Sequence, residues 1–331
     1  MKALITTVPF GEKNKLPLEL LENAGIDYTI NPLNRKLKED ELAGLIPEFD
    51  LLIAGTEPIT KKVIDNAENL KLISRVGIGL DSVDLIAAKN KNILVSYTPD
   101  APAPAVAELT LGMIFSLLRH MHVANTAMHR GEWERFFGRR ITEVTIGVIG
   151  AGRVGGRVLR RLARLGSPRI LVNDIRPDQN IVDNKIKLEW VDKETILREA
   201  DVVTLHLPLT GATKNLITYE KLKMMKSDGV IINTSRGGII NEQDLFKIMS
   251  EGHLSAAGID VFEDEPYRGD LINIERCMLT SHMGSMSVDC RTQMEIEATE
   301  EIVRYVNNLD LRCPVPKAEY DVQSEKNNLI Y

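Results

Sequence analysis

The sequence has few cysteines, no excess of positive charge and no long apolar run, and each shortage excludes a class of protein. Its three cysteines, at 277, 290 and 313, form no Cys-x-x-Cys pair or zinc-like spacing with histidine, so neither a disulfide framework nor a metal site is expected. The net charge of -6 argues against a nucleic-acid-binding protein. No apolar run reaches the roughly 18 residues of a membrane span, and no signal-peptide pattern opens the chain. We therefore expect a cytoplasmic protein with neither a membrane nor a nucleic-acid partner.

Short apolar runs alternate with helical patterns, which is typical of an α/β protein with parallel sheets. The 331 residues are enough for two domains, and three prolines within 98–104 predict a boundary between them. Helices are expected at about 105–130 and 287–306, the second followed by a polar tail. The runs that predict strands are Lys2–Val8, Leu51–Ala54, Leu72–Val76, Ile93–Ser96, Val144–Ile149, Ile170–Asn173, Val202–Leu205, Val230–Asn233, Ala257–Val261 and Met278–Leu279.

A glycine-rich turn follows one of these strands and precedes a helical pattern. Gly150 permits the tight turn, Gly152 lets the backbone approach a pyrophosphate, and Gly155 allows close packing of helix on strand. Asp174 ends the next strand 19 residues later, where a carboxylate accepts from ribose hydroxyls and repels a 2′-phosphate. The pattern predicts NAD as the cofactor, although nearby Arg176 leaves some tolerance for NADP. The alternative is a structural glycine turn with an ordinary surface aspartate.

Three later strand-like runs each end close to a charged or titratable residue, namely Arg236, Glu265 and His282. Ligands of open α/β sheets lie outside the carboxyl ends of the strands, so these side chains are expected at one crevice. An arginine grips a carboxylate with two parallel hydrogen bonds. A histidine exchanges the hydroxyl proton as hydride leaves C2, and a neighbouring carboxylate orients its ring. Hydride transfer at a 2-hydroxy or 2-keto acid therefore fits all three.

At this point the sequence resembles the D-2-hydroxyacid dehydrogenase family, in particular its phosphoglycerate-dehydrogenase-like branch, over about residues 40 to 310. The resemblance implies two Rossmann-like doubly wound domains, with the nucleotide domain inserted into a flavodoxin-like substrate domain. It places the first part of the substrate domain at 1–98, the NAD-binding domain at 99–284 and the return segment at 285–331. The motifs that carry it are Arg75–Asp84, Val106–Leu109, the glycine turn, His206–Thr210 and the three segments with Arg236, Glu265 and His282.

The same resemblance implies a role for individual residues. Arg236, Glu265 and His282 form the catalytic set, and Asp260 meets the nicotinamide carboxamide, unless it is only a strand-end cap. Arg75 and the backbone of Val76 and Gly77 join Arg236 in binding the substrate, with a surface salt bridge as the alternative for Arg75. His206 is interpreted as a packed core histidine. The cofactor-binding set is Gly150, Gly152, Arg153, Val154, Gly155, Asp174, Leu207, Pro208, Thr234, Ser235, Arg236, Asp260, His282 and Gly284.

Two departures from the family put 3-phosphoglycerate in doubt as the substrate. Ala54 stands where phosphoglycerate-specific members generally have an arginine, and an acidic, proline-rich stretch from Asp100 to Pro104 replaces an Asn/Ser-rich turn. A carboxylate there repels a phosphate. Two other activities stay open on this fold, an NAD-sensing corepressor-like interaction protein and phosphite oxidation. A formate-dehydrogenase-like reaction does not fit, because Glu265 stands where a glutamine is expected.

The segment from Leu109 to Met128 is apolar over more of its circumference than one packed helix face needs. The excess predicts a homodimer through the nucleotide domain, as the resemblance also implies. The alternative is a fully buried core helix in a monomer.

Overall fold

The computed structural model describes residues 1–166, 168–177, 181 and 187–328. The chain divides into two compact units, one formed by Met1–Pro102 with Met286–Tyr331 and the other by Ala103–Ser285. The units change near the predicted domain boundaries after residues 98 and 284. The end of the predicted return segment, 329–331, lies outside the described residues. The role of each unit in cofactor or substrate binding stays a prediction at this point.

The first unit contains a parallel sheet of five strands in the order β2-β1-β3-β4-β5, the flavodoxin-like order. Its strands are β1 (Lys2–Ile5), β2 (Asp27–Ile30), β3 (Leu51–Ala54), β4 (Leu72–Arg75) and β5 (Leu94–Tyr97). Its helices are α1 (Leu16–Asn23), α2 (Glu39–Leu45), α3 (Lys61–Asn66), α4 (Leu85–Asn90), α11 (Val288–Val306) and α12 (Lys317–Asn328). Every residue of β3 and β4 is buried, as continuous apolar runs in a sheet covered on both faces require.

The second unit contains seven parallel strands in the order β12-β11-β10-β9-β6-β7-β8. Counted within the unit, this is the Rossmann order 3-2-1-4-5-6 with one further strand. The strands are β6 (Thr145–Ile149), β7 (Arg169–Asn173), β8 (Leu188–Trp190), β9 (Val202–Leu205), β10 (Val230–Asn233), β11 (Ala256–Ile259) and β12 (Cys277–Leu279). The helices are α5 (Ala103–Leu118), α6 (Met121–His129), α7 (Arg153–Leu162), α8 (Lys193–Glu199), α9 (Tyr219–Met224) and α10 (Glu242–Ser250). The two sheets confirm the predicted fold class.

The helix expected over 105–130 is two helices, because the chain turns at His120, whose φ of 52° is left-handed. The carbonyl of Leu118 at the end of α5 accepts from the backbone N–H of Arg139, 2.9 Å away, instead of continuing the helix. A Cβ on Gly138 would press on the same carbonyl. The return of 138–139 therefore ends α5, and a helical pattern cannot reveal such a long-range contact.

The expected polar tail contains a helix that the sequence pattern did not predict, α12. Gln323 anchors this helix to the first unit: its Oε1 accepts from the backbone N–H of Leu85 at 2.9 Å, and its Nε2 donates to the carbonyl of Val83 at 2.9 Å. Specific hydrogen bonds thus retain a polar helix here, together with Tyr320, which packs against the core of the unit. None of the helices in the described part of the chain has the length and apolar composition needed to cross a membrane. Within the same residues, no group of three or more His, Cys, Asp or Glu is arranged to hold a metal ion.

Candidate active site

The glycine turn lies at the carboxyl end of β6, in the centre of the seven-stranded sheet. Gly150 has a φ of 96°, and a Cβ there would overlap the carbonyl of His206 on the neighbouring strand end. A Cβ on Gly155 would overlap the carbonyl of Gly150. Both atoms in the way are backbone, which cannot swing aside, so both positions require glycine.

Gly152 differs from the other two glycines of the turn, because a Cβ there would meet no atom within 4 Å. It is the N-cap residue of α7 and, as a glycine, gives no side-chain cap to the first N–H groups of that helix. The open space at Gly152 and the positive end of α7 fit a pyrophosphate, as the spacing predicts. Arg153 is exposed and Val154 half-buried at the same helix start. The turn therefore suits a dinucleotide such as NAD.

Asp174 connects the end of β7 to this turn. Its Oδ2 accepts from the backbone N–H of Ala151 at 2.7 Å, and its Oδ1 accepts from that of Arg176 at 2.8 Å. The carboxylate thus holds the glycine turn in place. Its contact with the ribose stays a prediction.

The segment after β9 borders the turn with His206, Leu207 and Pro208. The imidazole Nε2 of His206 lies 3.1 Å from the hydroxyl of Thr204. Burial lowers the pKa of His206 to about 3, so the ring is neutral near pH 7. This agrees with its interpretation as a packed histidine. Leu207 is half-buried, and its side chain faces Gly150, whereas Pro208 is exposed.

Arg236 is presented by a tight turn at the end of β10 that Asn233 organises. The buried side chain of Asn233 accepts from the backbone N–H of Ser235 at 3.0 Å and from its hydroxyl at 2.7 Å. The amide Nδ2 of Asn233 donates to the carbonyl of Arg236 at 2.8 Å. Asparagine commonly folds onto its own backbone in this way. The half-buried guanidinium of Arg236 donates to the carbonyl of Ser235 at 2.6 Å, so the side chain is held at the turn.

Glu265 and His282 form a pair, although they come from the ends of different strands. The imidazole Nδ1 of His282 lies 3.0 Å and 2.9 Å from the two carboxylate oxygens of Glu265. Both side chains are partly exposed, with 35% of the His282 side chain and 23% of that of Glu265 accessible, so the pair can meet a ligand. Nδ1 faces the carboxylate, and Nε2 is therefore the ring atom left for proton exchange.

Asp260 fixes the loop that carries His282. Its carboxylate is 1% exposed and accepts from the hydroxyl of Thr280 at 2.5 Å. It also accepts from the backbone N–H groups of Met283 and Gly284, both at 2.9 Å. His282 adopts a left-handed φ of 51° between these anchors. In the structure Asp260 is thus more than a strand-end cap, and its predicted contact with the nicotinamide stays a prediction.

Thr234 and Gly284 are both in contact with residues of α5. The hydroxyl of Thr234 lies 2.8 Å from that of Thr110, which in turn donates to the carbonyl of Val106 at 2.8 Å. A Cβ on Gly284 would meet Val106 at 3.3 Å and Asp260 at 3.1 Å. The start of α5 therefore determines how close two of the predicted cofactor-binding residues come to one another.

The predicted substrate-binding turn belongs to the first unit, at the end of β4. The guanidinium of the buried Arg75 donates to the carbonyl of Val76 and occupies the space that a Cβ on Gly77 would need. The N–H of Val76 donates to the carbonyl of Ala54 at 2.8 Å, and that of Gly77 to the hydroxyl of Thr98 at 2.7 Å. A carboxylate bound by these two N–H groups would have to displace these partners. Their role stays a prediction.

Three residues important for this geometry did not stand out in the sequence: Asn233, Thr280 and Thr110. Asn233 had a local signal, an asparagine at a strand end two residues before a serine, which favours an Asx turn. Thr280 and Thr110 had none, because their partners lie 20 and 124 residues away.

Known proteins resemble the chain in both sequence and fold. Residues 111–284 match the family described as "D-isomer specific 2-hydroxyacid dehydrogenase, NAD binding domain". The chain belongs to this family. It is 36% identical to a hydroxypyruvate reductase of Thermotoga maritima over 275 residues. This match covers 81% of the chain and 88% of the reductase. A crystal structure of the TT0316 protein from Thermus thermophilus superimposes with a TM-score of 0.86 at 28% identity, over 96% of this chain and all of that one.

The family confirms the predicted D-2-hydroxyacid dehydrogenase class, with NAD as the cofactor. A D-3-phosphoglycerate dehydrogenase of Methanocaldococcus jannaschii is also 36% identical, over 272 residues that make up 80% of this chain. The chain spans only 51% of the length of that relative. The likeness to phosphoglycerate dehydrogenases thus concerns part of their length.

Proposed function

We propose that this dehydrogenase interconverts a small, unphosphorylated D-2-hydroxy acid and its 2-keto acid, with Arg236, Glu265 and His282 as its catalytic residues. The observation that carries the proposal is the pair in which Nδ1 of His282 faces both oxygens of Glu265 at 3.0 and 2.9 Å. Such a pair fixes the orientation of the ring, as a general acid beside a keto oxygen requires.

His282 provides the proton in this scheme. Its Nδ1–H donates to Glu265, and its Nε2 gives a proton to the keto oxygen in reduction or takes one from the hydroxyl in oxidation. Bound NAD(H) supplies the other half of the chemistry, a hydride exchanged with C2. Glu265 keeps the ring in place and balances the charge of the imidazolium. Asp260 contributes by fixing the His282 loop through Thr280 and Met283.

Arg236 binds the carboxylate next to C2. A guanidinium presents two parallel N–H groups that match a carboxylate, so it determines the plane in which the substrate lies. The turn organised by Asn233 holds the backbone of Arg236 from within. Since this interaction both binds the substrate and orients C2 for the reaction, its loss should affect both substrate affinity and turnover.

Three features support a small substrate without a phosphate. Ala54, which stands where phosphoglycerate-specific members generally have an arginine, is fully buried and offers no side-chain donor. Asp100 is exposed in the same unit and would repel the doubly charged phosphate group of a phosphorylated acid. Arg75 is buried and donates to the adjacent carbonyl of Val76. The hydroxypyruvate reductase that the chain matches over most of its length makes hydroxypyruvate the first substrate to test.

NADH consumption tests the proposal with hydroxypyruvate, glyoxylate and phosphohydroxypyruvate. We expect kcat/KM for hydroxypyruvate to exceed that for its phosphorylated analogue by at least about tenfold, a difference of about 1.4 kcal/mol. His282→Ala should lower kcat about 10²- to 10⁴-fold. Arg236→Ala should lower kcat and also raise KM. Preference for the phosphorylated acid would contradict the substrate assignment, and near-normal turnover by either variant would contradict the roles.

The unit formed by Ala103–Ser285 also exposes apolar side chains on and after α5, which supports a homodimer. The exposed side chains are Phe115 (37%), Met121 (57%), Met128 (53%), Trp133 (76%), Phe136 (40%) and Phe137 (101%). Isolated exposed apolar residues are ordinary, but six within 23 residues of chain are typical of an interface. Sedimentation should give twice the 37.0 kDa of one chain, and a 37.0 kDa species at micromolar concentration would contradict the dimer.

A further inference from the structure

Glu242 is not one of the predicted catalytic, substrate-binding or cofactor-binding residues, and its surroundings are unfavourable for a carboxylate. It is the first residue of α10, half-buried, and its Oε1 accepts from the backbone N–H of Glu263 at 2.7 Å. Burial raises the pKa of Glu242, and repulsion from Glu263, Asp264 and Glu265 adds to the effect. A fourth acidic group beside three others is costly, so a reason for its presence is needed.

The hydrogen bond made by Glu242 reaches the loop that carries Glu265. The backbone N–H of Phe262, one residue before Glu263, donates to Oε1 of Glu265 at 3.2 Å. The ring of Phe262 stacks on Tyr267 with centroids 4.0 Å apart. Consecutive peptide groups of this loop therefore bind Glu265 on one side and Glu242 on the other.

The opposite side of the loop is held by the turn of Arg236. A Cβ on Gly237 would overlap the carbonyl carbon and oxygen of Phe262 and approach the nitrogen of Glu263 to 2.5 Å. The peptide between Phe262 and Glu263 thus contacts the backbone of Gly237 and donates its N–H to the carboxylate of Glu242. The backbone contact blocks movement towards Arg236, and the hydrogen bond to Glu242 resists rotation of the peptide.

We propose that Glu242 is a positioning residue for the catalytic pair, which holds the peptide between Phe262 and Glu263 so that Glu265 stays against His282. The proposal rests on the dehydrogenase function proposed above. Without the hydrogen bond, the peptide turns and Glu265 leaves the line of His282 Nδ1. Displacements of about 1 Å at a reacting group cost up to about a hundredfold in rate.

A purely structural role for Glu242 leads to a different expectation. A carboxylate in the first turn stabilises a helix by about 0.3–1 kcal/mol through its charge. In that case the charge of Glu242 matters, and its reach to Glu263 does not. The two roles are separable because one replacement retains the reach and another retains the charge.

The experiment compares E242Q, E242D and, as a matched control, Q243A in the full-length enzyme with NADH and the preferred keto acid. The side-chain carbonyl of a glutamine still accepts from Glu263, so E242Q should keep kcat within about threefold of wild type. An aspartate keeps the charge but is one methylene too short, so E242D should lose about tenfold in kcat. KM for keto acid and NADH should change less than twofold, since Arg236 and the glycine turn are intact. Q243A alters an exposed neighbour on α10 and should behave like wild type.

Melting temperatures separate activity from folding. E242D should melt within about 2 °C of wild type, because it retains the charge at the helix start. Normal kcat in E242D, or a loss in E242Q equal to or greater than that in E242D, would overturn the positioning role. If the wild-type protein reduced no 2-keto acid, the proposed function would be refuted instead. That result comes from the wild-type protein alone, so it is distinguishable from a failure of the positioning role.

Discussion

The glycine turn allows a sharp test of the cofactor site, because two of its glycines are required for different reasons. A methyl group at Gly155 would overlap the carbonyl of Gly150, whereas one at Gly152 would meet no atom of the protein. Gly155→Ala should therefore damage the fold, and Gly152→Ala should mainly damage the binding of NAD. The sequence pattern already assigns the two glycines these different roles, and the contacts show how each role can be tested separately.

The expected sizes follow from these contacts. Overpacking costs about 1–3 kcal/mol, and the upper value applies at Gly155 because a backbone oxygen cannot move aside. For a unit of this size, about 3 kcal/mol corresponds to a melting temperature lower by about 6–12 °C. Gly152→Ala replaces a preferred N-cap residue by a poor one at about 1 kcal/mol, so its melting temperature without NAD should fall by only about 2–4 °C.

Ligand-induced stabilisation measures the second effect. At an NAD concentration of about 100 times Kd, wild type gains about 2.7 kcal/mol, equivalent to roughly 5–10 °C. If the methyl group of Gly152→Ala weakens binding tenfold, the gain at the same concentration falls to about 1.4 kcal/mol, or roughly 3–6 °C. Titration calorimetry gives Kd directly.

A third glycine serves as the control. A Cβ on Gly44, in α2 of the first unit, also meets no atom within 4 Å. Gly44→Ala should leave NAD affinity unchanged and raise stability by up to about 1 kcal/mol, since alanine favours a helix. Wild-type NAD affinity in Gly152→Ala would refute the approach of the pyrophosphate to this backbone. A wild-type melting temperature in Gly155→Ala would refute the steric argument.

Three further predictions concern single side chains. Asp174→Ala removes the acceptor that holds Ala151, so KM for NAD should rise and the NAD/NADP preference narrow in steady-state assays; an unchanged preference would contradict the role of this carboxylate. Asp260→Asn turns one acceptor into a donor beside the N–H of Gly284, which should cost about 1–3 kcal/mol of stability and lower kcat. Wild-type stability and wild-type kcat in this variant would show that the loop has other anchors. Since burial lowers the pKa of His206 to about 3, below the roughly 6.5 of an unfolded histidine, its contribution to stability is fully present above about pH 6.5 and is lost towards pH 3, by at most about 1.4 kcal/mol per pH unit. In urea unfolding, the free energy of unfolding should therefore change less between about pH 7.5 and 5.5 for His206→Gln than for wild type. Equal changes in the two proteins would contradict the burial argument.

The sequence by itself determined the fold class, the cofactor turn and the family. Alternating apolar runs and helical patterns are local, and parallel strands necessarily bring their carboxyl ends to one edge of a sheet. For this reason Glu265 and His282 were expected together from their positions after strand-like runs. The requirement for glycine at 155 is equally local, because it follows from one strand, one turn and one helix, whereas the carbonyl that excludes a Cβ at 150 belongs to His206 on another strand end.

The tertiary structure decided what holds these residues in place. Asp260 bonds with Thr280, Thr110 with Thr234, and Glu242 with the backbone of Glu263, across 20, 124 and 21 residues, respectively. No periodicity or spacing encodes such pairs, since each depends on where separate strand ends meet. The same reason applies to α12, a polar segment that becomes a helix docked through hydrogen bonds of one glutamine side chain. Apolar patterns report which faces are buried, whereas hydrogen-bond partners are chosen only when the chain has brought them within about 3 Å of each other.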